Sequence, residues 1–308
     1  MRTSLFIKIA FLPVVILILL AGCRVVAEPT PIPPSDTPAP TPTVTETPLP
    51  PTLTYTPEPT PTATPDLRPN PALWKQWPVI PTLSARAKEI YQQGITLGND
   101  PRAFSKVGDC QSIKEAFMGL FDLEDRYTLS AERQNLAEAI DYFKGHFNTD
   151  GQAVKGGFNA AAVLSPMWAD PEFCEAGETP LDCELRLTKP TFLFVRLEIW
   201  WDGRTPEQYE GYMRRIIETA IAHGTVPILA TKADNVEGDH SLNLTTAKLA
   251  YEYDIPLWNF WRAVQSLPNH GMDPERNDGF HISYEAWNVA SYGGLETLDT
   301  LWRAATAK

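Results

Sequence analysis

Sixteen of the 29 prolines in this 308-residue chain fall between Pro29 and Pro71, and that clustering divides the chain into parts with different physics. Proline fixes φ and removes a backbone donor, so a run of this density holds the chain in extended polyproline II. The segment has no glycine and little aliphatic bulk. It cannot bury enough apolar surface to offset the entropy of ordering. Residues 23–72 therefore read as a disordered Pro/Thr-rich linker. At about 3.1 Å per residue, some 45 such residues reach on the order of 140 Å when extended. The segment serves as a stalk or as an inert spacer, and its threonines are acceptors for O-glycosylation.

What precedes the linker is an address. Arg2 and Lys8 form a basic start, and Phe11 to Leu20 form a short apolar run. That run is shorter than the roughly 20 residues a spanning helix needs, and it has the form of an export signal. It ends in Leu20-Ala21-Gly22-Cys23, which resembles the lipobox of bacterial lipoproteins. Residues 1–22 are then a lipoprotein signal peptide and Cys23 the lipidated residue. The expected location is extracytoplasmic, lipid-anchored at the bacterial cell surface, with the membrane as a partner through the lipid. A net charge of −12 argues against nucleic acid as a partner, because that function needs a basic face.

Residues 73–308 remain for a folded domain, enough for one sizeable core. Helical spacing runs from Leu83 to Gly98, over Ser112–Phe121 and over Ser130–Phe143. Further helices are expected from Thr205 to about His223, over Ser241–Tyr253 and over Ser283–Trp302. Strand-like runs are Ala103–Asp109, Thr191–Ile199, Val226–Thr231 and Pro256–Phe260. Strands alternating with helices imply a mainly parallel sheet covered on both faces, an α/β/α arrangement. Ligands in such sheets sit at the carboxyl ends of the strands.

The chemistry-bearing residues fall at those ends. Val107-Gly108-Asp109-Cys110 closes the first strand and leads into an expected helix, a position that favours anions and lowers a thiol pKa. Asp278-Gly279-Phe280-His281 precedes the last helix. That spacing lets the carboxylate hold one ring nitrogen while the other faces a nucleophile. Gly156-Gly157-Phe158-Asn159 offers backbone N–H groups close to a substrate oxygen. Cys174 and Cys183 read as a local disulfide within a Gly/Pro-rich loop of an exported chain. With Cys23 lipidated, Cys110 is left unpaired, a flag for reactivity. Glu198, Trp201 and Asp202 can line the site, with a tryptophan stacking on a sugar ring. Lys232, Asp234, Asn235, Glu237, Asp239 and His240 cluster after the third strand, as substrate contacts, as a seat for a hard cation or as a solvated loop, the last being the expected reading. No zinc spacing occurs, and no metal or cofactor is expected.

Three stretches, KVGDCQS, GGFNAAAVLSP and HGTVPILATKADN followed by NDGFHIS, resemble in order the SGNH/GDSL hydrolase family. The resemblance covers Phe104 to Trp302. It implies a three-layer α/β/α fold and hydrolysis of carboxylic esters, including O-acetyl groups of glycans, through an acyl-enzyme. It assigns Cys110, His281 and Asp278 as the catalytic set. It makes the N–H groups of Cys110 and Gly157 oxyanion donors, with Asp109, Asn159, Glu198, Trp201, Asp202, Asp234 and Asn235 as candidate substrate contacts. The chain departs from the family in two places. Cysteine stands where the family has serine, with Ser112 nearby as the alternative hydroxyl. Glu198-Ile199-Trp200-Trp201-Asp202-Gly203 lacks the asparagine of the family's third block, and Trp201 aligns there. The expected partner is a small-molecule or glycan ester. The other reading is a catalytically reduced scaffold that binds glycans or a surface partner.

Overall fold

Among the described residues, the strands expected from the apolar runs form one sheet of four parallel strands, in the order β1-β2-β3-β4. The computed structural model describes residue 66 and residues 68–199, 204–276 and 278–307. The signal peptide, Cys23 and most of the linker lie outside the described residues. So do Trp200, Trp201, Asp202 and Gly203. Among the described residues, no helix is long and apolar enough to cross a membrane.

The first turn of structure, a 3₁₀ helix at Pro71–Gln76, starts within the Pro-rich stretch and buries Trp74. Helix α1 (Ala85–Leu97) is capped by Ser84, whose Oγ accepts from the Ala87 N–H, and it ends at Gly98 in the left-handed region. Strand β1 (Asp100–Gly108) follows. Between it and the next strand lie α2 (Ala137–Tyr142) and α3 (Pro180–Thr188). Strand β2 (Pro190–Arg196) is buried along its whole length, as a central parallel strand must be. Then come α4 (Pro206–Ala222), β3 (Val226–Ala230), α5 (Ser241–Tyr253) and the two-residue β4 (Leu257–Trp258). Short α6 (Phe260–Val264) and long α7 (Tyr284–Thr306) close the chain.

Helices α1, α2 and α7 pack together on one face, while α3, α4 and α5 cover the other. The fold is therefore a three-layer α/β/α sandwich, as expected. Aromatic rings fill the α7 side. Phe104 meets Phe147 and Phe143 with ring centroids 5.0 and 5.7 Å apart, and Phe117 stacks on Trp258 at 5.7 Å. Gly94 of α1 lies against the backbone of Gly224, the turn before β3. A Cβ on either would collide with the other chain segment, so the close approach requires glycine at both.

Two expectations fail here. Ser112–Phe121 is not an α-helix. It is a string of turns ending in a 3₁₀ helix at Gly119–Asp122. Met118 takes a left-handed conformation there (φ 66°), and the Lys114 N–H leaves the local ladder for Asp150 Oδ1 at 2.6 Å. The apolar spacing arises because Phe117 and Met118 pack between the sheet, at Phe194 and Trp258, and helix α7, at Ser291 and Gly294. Conversely, Cys183 lies in helix α3 and not in a loop. Thr179 and Asp182 make a capping box with Pro180 in the first turn, the usual helix start. The Cys174–Cys183 disulfide itself is present, with a Cα separation of 5.2 Å.

Candidate active site

Strand β1 delivers Cys110 to the carboxyl edge of the sheet two residues after Gly108. Gly108 has no Cβ, and the Ser112 side chain occupies the space one would fill. Ser112 is fully buried there, so its hydroxyl does not face the cavity that Cys110 lines. The turn is tied down from two directions. The Gln111 N–H donates to Asp109 Oδ1 at 2.8 Å, and the Arg196 guanidinium donates to the Gln111 carbonyl at 2.7 Å.

The loop before α7 brings the partner. An antiparallel bridge between Met272 and Ile282 and the Ser283 N–H to Gly271 carbonyl bond (2.9 Å) close its base. Gln111 Nε2 donates to the Phe280 carbonyl at 3.0 Å and joins this loop to the β1 turn. Cys110 Sγ then lies 3.5 Å from His281 Nε2, and His281 Nδ1 lies 2.7 Å from Asp278 Oδ2. The other Asp278 oxygen accepts from the N–H groups of Phe280 and His281 at 2.9 and 3.0 Å. These backbone donors, His281 first, hold the Asp278 carboxyl down to about 2. An ionised Asp278 accepts only, so Nδ1 carries the imidazole proton and the Nε2 lone pair faces the sulfur.

The thiol differs from expectation. Burial, and then the Asp109 carboxylate beside it, push Cys110 up to about 11, while its own backbone N–H pulls the other way. The lowered thiol pKa expected from a helix terminus is absent because no α-helix starts there. At neutral pH the sulfur is a thiol that donates to His281.

A buried set of charges adjoins the cavity through Glu198. Lys232 Nζ sits 2.6 Å from Asp234, 2.9 Å from Glu237 and 3.2 Å from Glu198. Burial lowers the Lys232 ammonium, but Glu198, Asp234 and Glu237 outweigh it and hold it above its ordinary value. Glu198 is raised well above the carboxylate range by burial and then by the Asp234 charge, against the pull of Lys232. Burial also raises Asp109 to about 6 and lowers Arg196 to about 10. The Arg196 guanidinium stacks on Phe117, 4.3 Å from the ring centroid.

A cavity of about 620 Å³ opens over the sulfur and the imidazole, walled by Gly156, Gly157, Phe158, Ile199, Val236 and Phe280. Asp109 and Glu198 also border it. Gly157, with φ 88°, holds a left-handed turn that suits glycine. Asn159 does not line this cavity. Its Oδ1 accepts from the N–H groups of Ala161 and Ala162, both at 3.0 Å. Asp234 and Asn235 do not line it either. Asp234 is buried against Lys232, and the exposed Asn235 accepts from the His240 N–H at 2.8 Å. The loop after β3 is thus built around a buried ion cluster and is not simply solvated. Trp201 and Asp202 lie outside the described residues. Sequence reasoning passed over Arg196, Gln111, Val236 and Phe280. The available signal was an arginine ending an otherwise apolar strand.

No protein-family model matches the chain, and no curated protein matches it. Solved structures of similar fold do exist. The psychrotrophic esterase EstA from Pseudoalteromonas sp. is 12% identical, with 63% of this chain and 95% of that one covered and a TM-score of 0.42. A GDSL-like lipase from Bacteroides thetaiotaomicron is 13% identical, with 69% and 97% covered and a TM-score of 0.43. A catalytic mutant of Axe2, an acetylxylan esterase from Geobacillus stearothermophilus, is 13% identical, with 65% and 94% covered and a TM-score of 0.41. The Bacteroides protein carries the GDSL name of the family that the KVGDCQS and NDGFHIS stretches resemble.

Proposed function

We propose that this chain is an ester hydrolase that works through an acyl-thioenzyme, with Cys110 as nucleophile, His281 as base and then acid, and Asp278 as orienting carboxylate. The observation that carries the reading is the unbroken relay from Cys110 Sγ to His281 Nε2 (3.5 Å) and from His281 Nδ1 to Asp278 Oδ2 (2.7 Å), at the carboxyl edge of a parallel sheet. The thiol starts neutral, so His281 takes its proton as the sulfur attacks the ester carbonyl. The S–C bond forms, the alkoxide leaves, and His281 returns the proton to it. Water then gives a proton to His281 and attacks the thioester, which releases the acid and restores the thiol. The N–H groups of Cys110 and Gly157 face the developing oxyanion. Asp278 acts on His281 alone, fixing its tautomer and stabilising the imidazolium.

The domain is placed outside the cell, held to the membrane by lipid on Cys23 through the Pro/Thr-rich linker. The Cys174–Cys183 disulfide supports an oxidising compartment. Palmitate labelling of the chain, lost on Cys23→Ala, tests the anchor.

The activity is tested with p-nitrophenyl acetate and the full chain. A burst of p-nitrophenol, lost after iodoacetamide and absent in Cys110→Ala and His281→Ala, is the expected result. A non-catalytic, glycan-binding scaffold is the second reading, and the raised thiol favours it. Glycan binding that survives His281→Ala, with no Cys110-dependent turnover of any ester, selects it.

A further inference from the structure

Resting on the esterase reading, we infer that Glu198 keeps its carboxyl proton and donates a hydrogen bond from it to the ester carbonyl oxygen as the sulfur attacks, which makes it a catalytic residue. The proton stays on Glu198 throughout. What the hydrogen bond supplies is stabilisation of the negative charge that S–C bond formation places on that oxygen.

The first observation is an imbalance of charge. Four carboxyl groups, those of Asp109, Glu198, Asp234 and Glu237, lie with two cations, Arg196 and Lys232, in one buried set. Tyr209 of α4 and Cys110 of the β1 turn also face Glu198, and neither brings a positive charge. Carboxylates in excess of their cations are costly away from water, and a proton on one of them relieves the set. Asp234 and Glu237 lie nearer the Lys232 ammonium than Glu198 does, at 2.6 and 2.9 Å against 3.2 Å. Burial and then the Asp234 charge accordingly raise Glu198 well above the carboxylate range, whereas Asp109 rises only to about 6. Lys232 donates to Glu198 Oε2, so the proton belongs on Oε1.

The second observation is position. Glu198 lies just beyond the end of β2, and its carbonyl accepts from the Ala160 N–H at 2.8 Å, which fixes it against the loop that carries Gly157. It borders the same cavity as Cys110, Gly157 and His281. The other polar side chains there have no proton to offer. Cys110 and His281 hold each other, His281 Nδ1 is bound to Asp278, and Asp109 is ionised at neutral pH. A second carboxylate at this wall would oppose the developing oxyanion. A carboxylic acid kept neutral by its surroundings stabilises it instead.

Glu198→Gln and Glu198→Met both remove the acid and keep its length, and only glutamine keeps a donor. The readout is the burst of p-nitrophenol from p-nitrophenyl acetate with the full chain at pH 7. Glu198→Met is expected to slow the burst at saturating ester by roughly 10²–10³, with the half-saturating concentration changed by less than about threefold, and Glu198→Gln to slow it by less than about tenfold. The ratio of the glutamine variant's rate to the wild-type rate is expected to rise from pH 7 to pH 9, because the acid loses its proton and the amide does not. Equal losses in the two variants, no loss in either, a loss carried by the half-saturating concentration, or a ratio that does not rise overturns this inference and leaves the esterase reading standing. If urea unfolding shows that Glu198→Met does not fold, the pH trend of Glu198→Gln decides alone. No Cys110-dependent burst from the wild-type chain overturns both.

Discussion

Replacing Lys232 by methionine removes one cation from a space that holds three carboxylates. Lys232 Nζ lies 2.6, 2.9 and 3.2 Å from Asp234, Glu237 and Glu198, and these side chains are 2, 0 and 11% exposed. At an effective dielectric of about 20, contacts of this length are each worth on the order of 5–6 kcal/mol before desolvation. Desolvation of the charged groups cancels much of that, and removing one partner of a buried pair typically costs about 3–5 kcal/mol. Methionine keeps the volume, so the loss is electrostatic. For a domain of this size it corresponds to a fall in Tm of roughly 6–20 °C. The pH dependence has a definite sign. Glu198 is already pushed up by burial, and Lys232 is the charge that restrains it. In the variant its folded pKa rises further above the unfolded value, so the folded state binds protons that the unfolded state releases. The deficit is therefore larger at pH 9 than at pH 5, and it narrows between the variant's Glu198 pKa and the wild-type one. Urea unfolding followed by tryptophan fluorescence at both pH values measures it. A second change, Glu198→Gln, should return part of the lost stability to Lys232→Met. A deficit under about 1 kcal/mol at pH 9, or one that widens on acidification, refutes this account of the cluster.

Three further outcomes are expected. Because Cys110 is raised to about 11, its alkylation by iodoacetamide should be slow at pH 7 and climb about tenfold per pH unit through pH 10. A plateau below pH 8 would instead mean a thiolate–imidazolium pair. Gly94→Ala drives a Cβ into the Gly224 carbonyl, so it should cost at least about 1–3 kcal/mol by urea titration, although alanine favours helices. Reducing the Cys174–Cys183 bridge opens a loop with a sequence separation of 9, and the Tm should drop by the equivalent of about 2–3 kcal/mol.

Regular elements were legible where one local rule governed them. The apolar run Thr191–Ile199 became the fully buried β2, which ends at Arg196, and the Thr205-Pro206-Glu207 start became that of α4, where Gln208 completes a capping box. Ser112–Phe121 misled because turns packed between the sheet and α7 produce the same spacing as an amphipathic helix. Helix α3 was missed although Thr179-Pro180 and Asp182 announced it, because the cysteine spacing drew the reading toward a loop. At the site, the Cys110, Asp278 and His281 juxtaposition followed from motif order alone. The charges adjoining it did not. Arg196, Glu198 and Lys232 come from the ends of two strands, and only the parallel register brings them together. The thiol's shift followed from burial and from Asp109, neither of which a sequence displays.

Asp278 and His281 sit within one turn, and a single carboxylate receives the imidazole proton and two backbone N–H groups. On the proposed mechanism, that makes the base and its orienting group a prefabricated cassette. Jostling of the loop displaces the pair as one body, so the tautomer survives motions that would scramble a relay gathered from three remote segments. The clearance left to adjust among the described residues is the gap between sulfur and Nε2, which the Gln111 tether and the Met272–Ile282 clasp hold at its present width.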